Sequence, residues 1–313
     1  MDLVQITGEK CGMGNSIWAV ASGKGGVGKS FISASLAITV AKLGHPVVIV
    51  DLDITGANSH TCLGMNPSPL NLRHYFDGSK TLQEIIVPSS IPKLSLIQGL
   101  WDSWNLFELT ADRVEKLVKD LRELTASYVI IDLGAGGTHG NIEVFKHVDE
   151  KILVTTPEPT SLEKNYRFIE GYICSKIQPT TTPDKYMDWI HALREKRHST
   201  NSSAYSIRNY ITDKMPESLP TFEAMNNSPI HVVVNSVRSH EQSSLGYSIR
   251  SVCNKYFELE VNFLGSINYD NAVWQSIRLH EPVLIAQPFT PLAGQFLSLC
   301  KHLIDPEELR AVV

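Results

Sequence analysis

Residues 22–30 read SGKGGVGKS, and no other stretch limits the rest of the chain as strongly. From Gly23 through Gly28, Lys29 and Ser30 it spells G-x-x-x-x-G-K-S. That is a glycine-rich turn whose backbone N–H groups can cradle phosphate oxygens, with a lysine to neutralise them and a hydroxyl for Mg²⁺. Such a loop works only where a strand runs into it and a helix runs out, so that the positive end of the helix faces the phosphate. Both neighbours are present. IWAVAS (17–22) has the continuous apolar character of a buried strand, FISASLAITVAKLG (31–44) reads as a helix stopped by Gly44, and PVVIVD (46–51) as the next buried strand.

The alternation continues. LSLIQG (94–99), YVIID (128–132), KILVTT (151–156), HVVVN (231–235) and VNFLGSI (261–267) are further short apolar runs, separated by helical patterns. One helix is expected from about Thr110 to Thr125, and another is expected to open on a capping box formed by Thr160 and Glu163. Strands this uniformly apolar need cover on both faces, which predicts a doubly wound, mostly parallel α/β sheet. The 313 residues fit one domain, 1–313. Residues 178–228 interrupt the pattern. Tyr186, Met187, Ile190 and Leu193 recur at helical spacing, as do Ile207, Tyr210 and Ile211, around prolines and a Ser/Asn-rich stretch, and this predicts a helical insertion. Its aromatic residues Tyr186, Trp189, Tyr205 and Tyr210 are candidates for packing or for a partner surface.

Composition narrows the function. A net charge of −5 speaks against a surface built for nucleic acid. The 5 cysteines are scattered, with no C-x-x-C spacing, which predicts a cytoplasmic protein without a disulfide framework. The opening MDLVQITGEKCGMGNS has no apolar core of signal-peptide length, and no membrane span is expected.

Around the loop, acids fall at strand ends, where open α/β sheets bind ligands. Asp51 closes one strand, Asp53 follows it, and Asp132 closes another in IIDLGAG. Acids after two separate strands beside a phosphate loop suit a metal shell and an oriented water. Lys24 is then one lysine more than the loop needs.

SGKGGVGKS, DLDITGAN (51–58) and DLGAG (132–136) resemble the deviant Walker A ATPases of the MinD/ParA group, P-loop NTPases of SIMIBI type. TTPEPTSLEKNYRFI (155–169), VVVNSVRS (232–239) and SINYDNAVWQSIRLHEPVLI (266–285) bring the likeness closest to the FlhG/FleN branch, MinD-like regulators of flagellar number and placement. The resemblance implies ATP and Mg²⁺ as ligands and an ATP-dependent homodimer with slow hydrolysis. It implies that Lys24 crosses the dimer interface to the partner's phosphates and acts in catalysis with Lys29 and Asp53. It implies nucleotide contacts from Gly23, Gly25, Gly26, Val27, Gly28, Lys29, Ser30 and Phe31, with Asn235 reading adenine and Asn268 standing on the adenine-side loop where the family often has proline. It implies a metal site of Ser30, Asp53 and Asp132, and a switch segment, Gly134 to Gly136, that moves when the γ-phosphate leaves.

The alternative on the same fold is a ParA-like partition ATPase that binds DNA non-specifically, for which Arg238, Arg250 and Arg278 are the available cations. An iron–sulfur carrier would need paired cysteines at the dimer face, and a tyrosine kinase of this fold a terminal tyrosine cluster; the last tyrosine is Tyr269. The closing QFLSLCKHLIDPEELRAVV is acidic where anionic lipid favours cations, so recruitment to a pole or membrane is expected through a protein partner, of unknown identity, rather than directly.

Overall fold

The computed structural model describes residues 15–53, 56–100, 108–198 and 206–304. Cys11, Tyr205, the Ser/Asn-rich stretch before it and the acidic DPEELRAVV segment lie outside them, as do positions 54 and 55 of the DLDITGAN motif.

Eight strands form one sheet: β1 (Ser16–Ser22), β2 (Val47–Leu52), β3 (Ile86–Pro88), β4 (Leu94–Ile97), β5 (Tyr128–Ala135), β6 (Glu150–Thr155), β7 (Ile230–Val237) and β8 (Val261–Asn268). Their order is β3-β4-β2-β5-β1-β6-β7-β8. Every pairing is parallel except that of β3 with β4, a short antiparallel edge that three residues were too few to signal. The predicted doubly wound, mostly parallel sheet is the one observed.

The sheet is buried on both faces because side chains alternate along each strand. In β1, Ile17, Ala19 and Ala21 join one apolar cluster while Trp18 and Val20 join the other. The first cluster takes in Val114, Leu117 and Leu121 of the helix Ala111–Arg122, with Phe168 and Tyr172 of the helix Pro159–Ile177. The second is covered by Leu36 and Val40 of the helix Lys29–Lys42, and by Phe296 and Leu299 of Pro291–Leu303.

Between β6 and β7 run the helices Pro183–His198, Ile207–Lys214 and Leu219–Ala224. They are not a superficial appendage. Trp189, fully buried, joins Leu193, Ile211, Met215 and Phe222 in the same cluster as the strands. Tyr186 and Tyr210 are half-buried against it, so of the four candidate aromatics the three within the described residues take the packing role, and among the described residues of this region Met187 is the large apolar side chain left exposed.

The expected capping box is absent. Helix Pro159–Ile177 starts with Pro159 at its first turn and Glu158 as N-cap, with no side-chain cap. Proline's fixed φ and missing N–H suit that position and move the start ahead of Thr160. Glu163 pairs instead with Arg167 at 2.6 Å.

Candidate nucleotide-binding site

The strand order reverses around β1. Its chain leaves by the helix Lys29–Lys42 for β2, which lies beyond β5, whereas β6 lies on its other side. The carboxyl ends of β1, β2 and β5 therefore meet at a switch point, where α/β sheets place ligands. A cleft of about 290 Å³ opens there.

The loop from β1 wraps one side of this cleft. Lys24, Gly25, Gly26, Gly28, Lys29, Ser30 and Phe31 line it, with Asp53 and Ala135 opposite. Gly28 caps the helix at φ 86°, a left-handed conformation that costs a side chain dearly, and a Cβ there would fall 2.3 Å from Asn235 Nδ2. Gly23 and Val27 are not among the lining residues. The N–H of Gly23 donates to Asn165 Oδ1 at 2.6 Å, and a Cβ on it would meet the Lys164 carbonyl oxygen at 2.2 Å. Val27 is buried beneath the turn.

Beneath the cleft floor lies a buried polar cluster. Asp51 and Asp132 are register partners on β2 and β5, and both are buried. Lys29 Nζ donates to Asp132 Oδ1 at 3.3 Å, Ser33 Oγ to the same oxygen at 3.0 Å, and Ser59 Oγ to Oδ2 at 3.0 Å. Asp51 accepts from the N–H of Ser59 at 2.9 Å and from that of Asp53 at 3.1 Å. Burial, and then the charge of Asp132 alongside, push the Asp51 carboxyl up to about 7. Only one acid of such a pair ionises easily. Asp132, with both oxygens engaged, does not line the cleft, whereas Asp53 lines both it and a neighbouring cleft of about 240 Å³ that runs past Ala135 to His139 and Asn141.

Asn141 donates to the carbonyls of Gly134 at 3.0 Å and Gly136 at 2.9 Å, and the N–H of Gly136 donates to the Ser22 carbonyl at 2.8 Å. The end of β5 is thereby tied to the start of the phosphate loop. Lys24 Nζ is bonded to the Glu158 carboxylate and, at 3.1 Å, to Thr160 Oγ1. Asn235 donates to the Val27 carbonyl at 2.8 Å, which places it against the back of the loop. Asn268 stands exposed at the end of β8, its N–H donating to Gln295 Oε1 at 3.2 Å, and lies outside the cleft lining.

The fold brings Lys24, Lys29, Ser30 and Asp53 to one cleft with Asp132 behind it, and leaves Asn268 apart. Ser33, Ser59, Asn141 and Asn165 hydrogen-bond the acids and loops around the cleft yet carry no motif, and only the contact map of the folded chain could reveal them. Cys62 is the sole cysteine on the cleft wall among the described residues. Burial, then the charges of Asp132 and Asp51, push its thiol up to about 12. Of the three candidate DNA cations, Arg238 lies 3.9 Å from the Tyr269 ring centroid and Arg278 5.5 Å from that of Trp274. Among the described residues no group of three or more His, Cys, Asp or Glu is placed to hold a metal ion, and no helix is long and apolar enough to cross a membrane.

A family model described as ParA, NUBPL iron-transfer P-loop NTPase, matches residues 14–179. The flagellum site-determining protein YlxH of Helicobacter pylori is 33% identical over 171 residues, which are 54% of this chain and 55% of that protein. The septum site-determining protein MinD of Escherichia coli is 29% identical over 161 residues, 51% of this chain and 59% of that protein. The chain spans about half the length of the curated relatives it matches. Among solved structures, the septum site-determining protein MinD of Pyrococcus horikoshii OT3, complexed with Mg-ADP, superposes with a TM-score of 0.66 at 18% identity, covering 96% of this chain and 100% of that one. A ParA family ATPase from Chlorobium tepidum gives 0.62 at 19% identity over 93% and 99%. With the family model covering just over half of the chain and the same fold extending across the rest, this chain belongs to the ParA/MinD family of P-loop NTPases.

Proposed function

We propose that the protein is an ATP-dependent dimerising switch with slow ATP hydrolysis, a spatial regulator of a cellular structure in the manner of MinD and FlhG. The observation that carries this reading is the presence of two lysines, Lys24 and Lys29, in one cleft with Asp53 facing them. Lys29 alone is enough for a mononucleotide site; a second lysine at the rim suits a second set of phosphates brought by another copy.

The residues present fit ATP and Mg²⁺. Left-handed Gly26 and Gly28 turn the loop around a phosphate-sized space, and Lys29 already lies beside Asp132, from which it can turn to β/γ oxygens. Ser30 would hold Mg²⁺ directly, with Asp53 and Asp132 in its outer shell. The ion would take its remaining ligands from phosphate and water, as Mg²⁺ commonly does, and would neutralise phosphate charge. Asp53 would orient a water towards the γ-phosphate. The γ-phosphorus–oxygen bond to that water forms as the bond to the bridging oxygen of ADP breaks, and this reaction depends on positioning more than on a strong base. Loss of the γ-phosphate would free the Gly134–Gly136 segment and release the dimer.

The names of the relatives, which determine flagellum and septum sites, support a positional role. The test is twofold. Purified protein should hydrolyse Mg-ATP slowly and pass from monomer to dimer with ATP by light scattering, and a fluorescent fusion should occupy a defined site in cells rather than fill them. A protein that binds no ATP, or binds it and stays monomeric, overturns the reading.

A further inference from the structure

The helix Ser59–Cys62 has 4 residues, too few to stand by its own hydrogen bonds. Polar bonds from its neighbours hold it. Gln98, just past β4, takes the Ser68 N–H on Oε1 at 2.6 Å, so its Nε2 is the donor to His60 Nδ1 at 3.2 Å. Thr61 and Cys62 line the nucleotide cleft. Ser59, fully buried, spends both of its donors on the two buried acids, the N–H on Asp51 Oδ2 and the hydroxyl on Asp132 Oδ2.

Followed through the acids, these bonds make one chain. Asp132 Oδ2 lies 3.0 Å from Ser59 Oγ, the Ser59 nitrogen 2.9 Å from Asp51 Oδ2, and Asp51 Oδ1 3.1 Å from the nitrogen of Asp53. At one end stands the acid proposed for the Mg²⁺ shell, at the other the acid proposed to orient water. Lys29 is the changeable partner: once it turns to phosphate, Asp132 keeps the hydroxyls of Ser33 and Ser59. The single hydroxyl hydrogen of Ser33 is divided between Asp132 at 3.0 Å and the Lys29 carbonyl at 3.1 Å, whereas that of Ser59 goes to Asp132 alone. Ser59 is therefore the firmer of the two, and it alone also reaches Asp51.

We propose that Ser59 is a positioning residue for ATP hydrolysis, whose hydroxyl fixes the Asp132 carboxylate for the Mg²⁺ shell and whose N–H, through Asp51, ties that carboxylate to Asp53. The inference rests on the ATPase reading and adds to it a residue that no motif contains. A carboxylate held by a full hydrogen bond keeps one orientation, and loss of such a supporting partner typically costs about 10–100-fold in metal affinity or activity.

The test uses the full chain as wild type, Ser59→Ala, Ser59→Thr and Ser59→Val. Ser59→Ala deletes the hydroxyl without adding volume, and the other two share a shape and differ in the hydroxyl. Urea unfolding establishes which variants are folded. A fluorescent ATP analogue is titrated with and without Mg²⁺, and phosphate release is followed at saturating ATP and Mg²⁺. For Ser59→Ala the expected result is Mg²⁺-free analogue affinity within about twofold of wild type, with the Mg²⁺ needed for half-maximal binding raised, and kcat lowered, by about tenfold. KM for ATP should hold, and Ser59→Thr should hydrolyse at least about fivefold faster than Ser59→Val. A Ser59→Ala protein with the Mg²⁺ dependence and kcat of wild type overturns the inference, as does one that fails to fold, which makes the hydroxyl a bond of the core alone. A folded Ser59→Val that matches Ser59→Thr overturns it too. In each of these cases a wild type that hydrolyses ATP leaves the switch standing. A wild type that binds or hydrolyses no ATP overturns the switch itself, and this inference with it.

Discussion

Lys24 Nζ is held by the carboxylate of Glu158 and the hydroxyl of Thr160 of the same chain, at the start of the helix Pro159–Ile177. The pair is partly exposed, 29% on the lysine side and 61% on the carboxylate side. Surface pairs of this kind contribute only about 0–1 kcal/mol, so this one orients Lys24 without locking it.

Lys24→Ala should therefore bind ATP within a few-fold of wild type and fail to dimerise or hydrolyse. Glu158→Gln should shift the dimer dissociation constant by less than about fivefold, the equivalent of about 1 kcal/mol. Light scattering against protein concentration with ATP reads both, and a Lys24→Ala protein that dimerises normally returns Lys24 to an ordinary surface lysine.

Lys29→Ala removes the cation from both the proposed phosphate site and the buried Asp132. ATP binding should disappear, and stability should fall by about 3 kcal/mol, the lower end for breaking a buried pair, because Ser33 and Ser59 still bond the carboxylate. Fluorescent-nucleotide titration and urea unfolding measure the two effects separately. Near-normal ATP affinity in the folded variant contradicts the site.

Asp53→Ala should act in the opposite way, keeping ATP binding while hydrolysis drops by at least about tenfold and the dimer persists. Phosphate release and light scattering follow the two properties. A variant that stays monomeric with ATP removes Asp53 from the water-positioning role.

Trp189→Ala should cost about 3–5 kcal/mol, the range for emptying a core site of that size, in the urea midpoint. Excising residues 180–220 should accordingly unfold the protein rather than trim a detachable arm.

Lys151 supplies a pH signature away from the nucleotide. It is buried, donating to the Val148 carbonyl at 3.0 Å and to Ser228 Oγ at 2.6 Å, and burial followed by the charge of Lys176 pushes it down to about 8. Unfolding returns it to the ordinary value of 10.5, so the unfolded chain binds more protons between pH 8 and 10.5. Its contribution is fully present above 10.5 and is lost as pH falls through 8. Buried tyrosines and cysteines such as Tyr172 and Cys253, pushed up to about 12, act in the opposite sense over higher pH. The difference between wild type and Lys151→Met in unfolding free energy at pH 8, 9 and 10 isolates the lysine, and a flat difference refutes the assignment.

The strands and the phosphate loop were legible because their information is local: a run of five or six apolar residues, or a glycine spacing, describes itself. Lys29 and Ser30 were readable for the same reason. Asn165, Asn141 and Ser59 were not, since each acts on partners 5 to 142 positions away, and an asparagine inside a helix has no signature. The capping-box reading failed on Pro159, whose backbone geometry outranked the spacing of Thr160 and Glu163. For the aromatic residues of 178–228 periodicity alone leaves packing and partner surface both open, since it cannot tell an inward from an outward stripe; Trp189 faces in.

Asn165 spans two elements: its Oδ1 takes the N–H of Gly23 while its Nδ2 reaches the Val154 carbonyl at 3.0 Å, and the Lys164 carbonyl leaves no space beside Gly23. Helix Pro159–Ile177 and the first turn of the loop consequently travel as one mechanical piece. A load applied along that 19-residue lever is delivered to the residue where the glycine-rich loop begins.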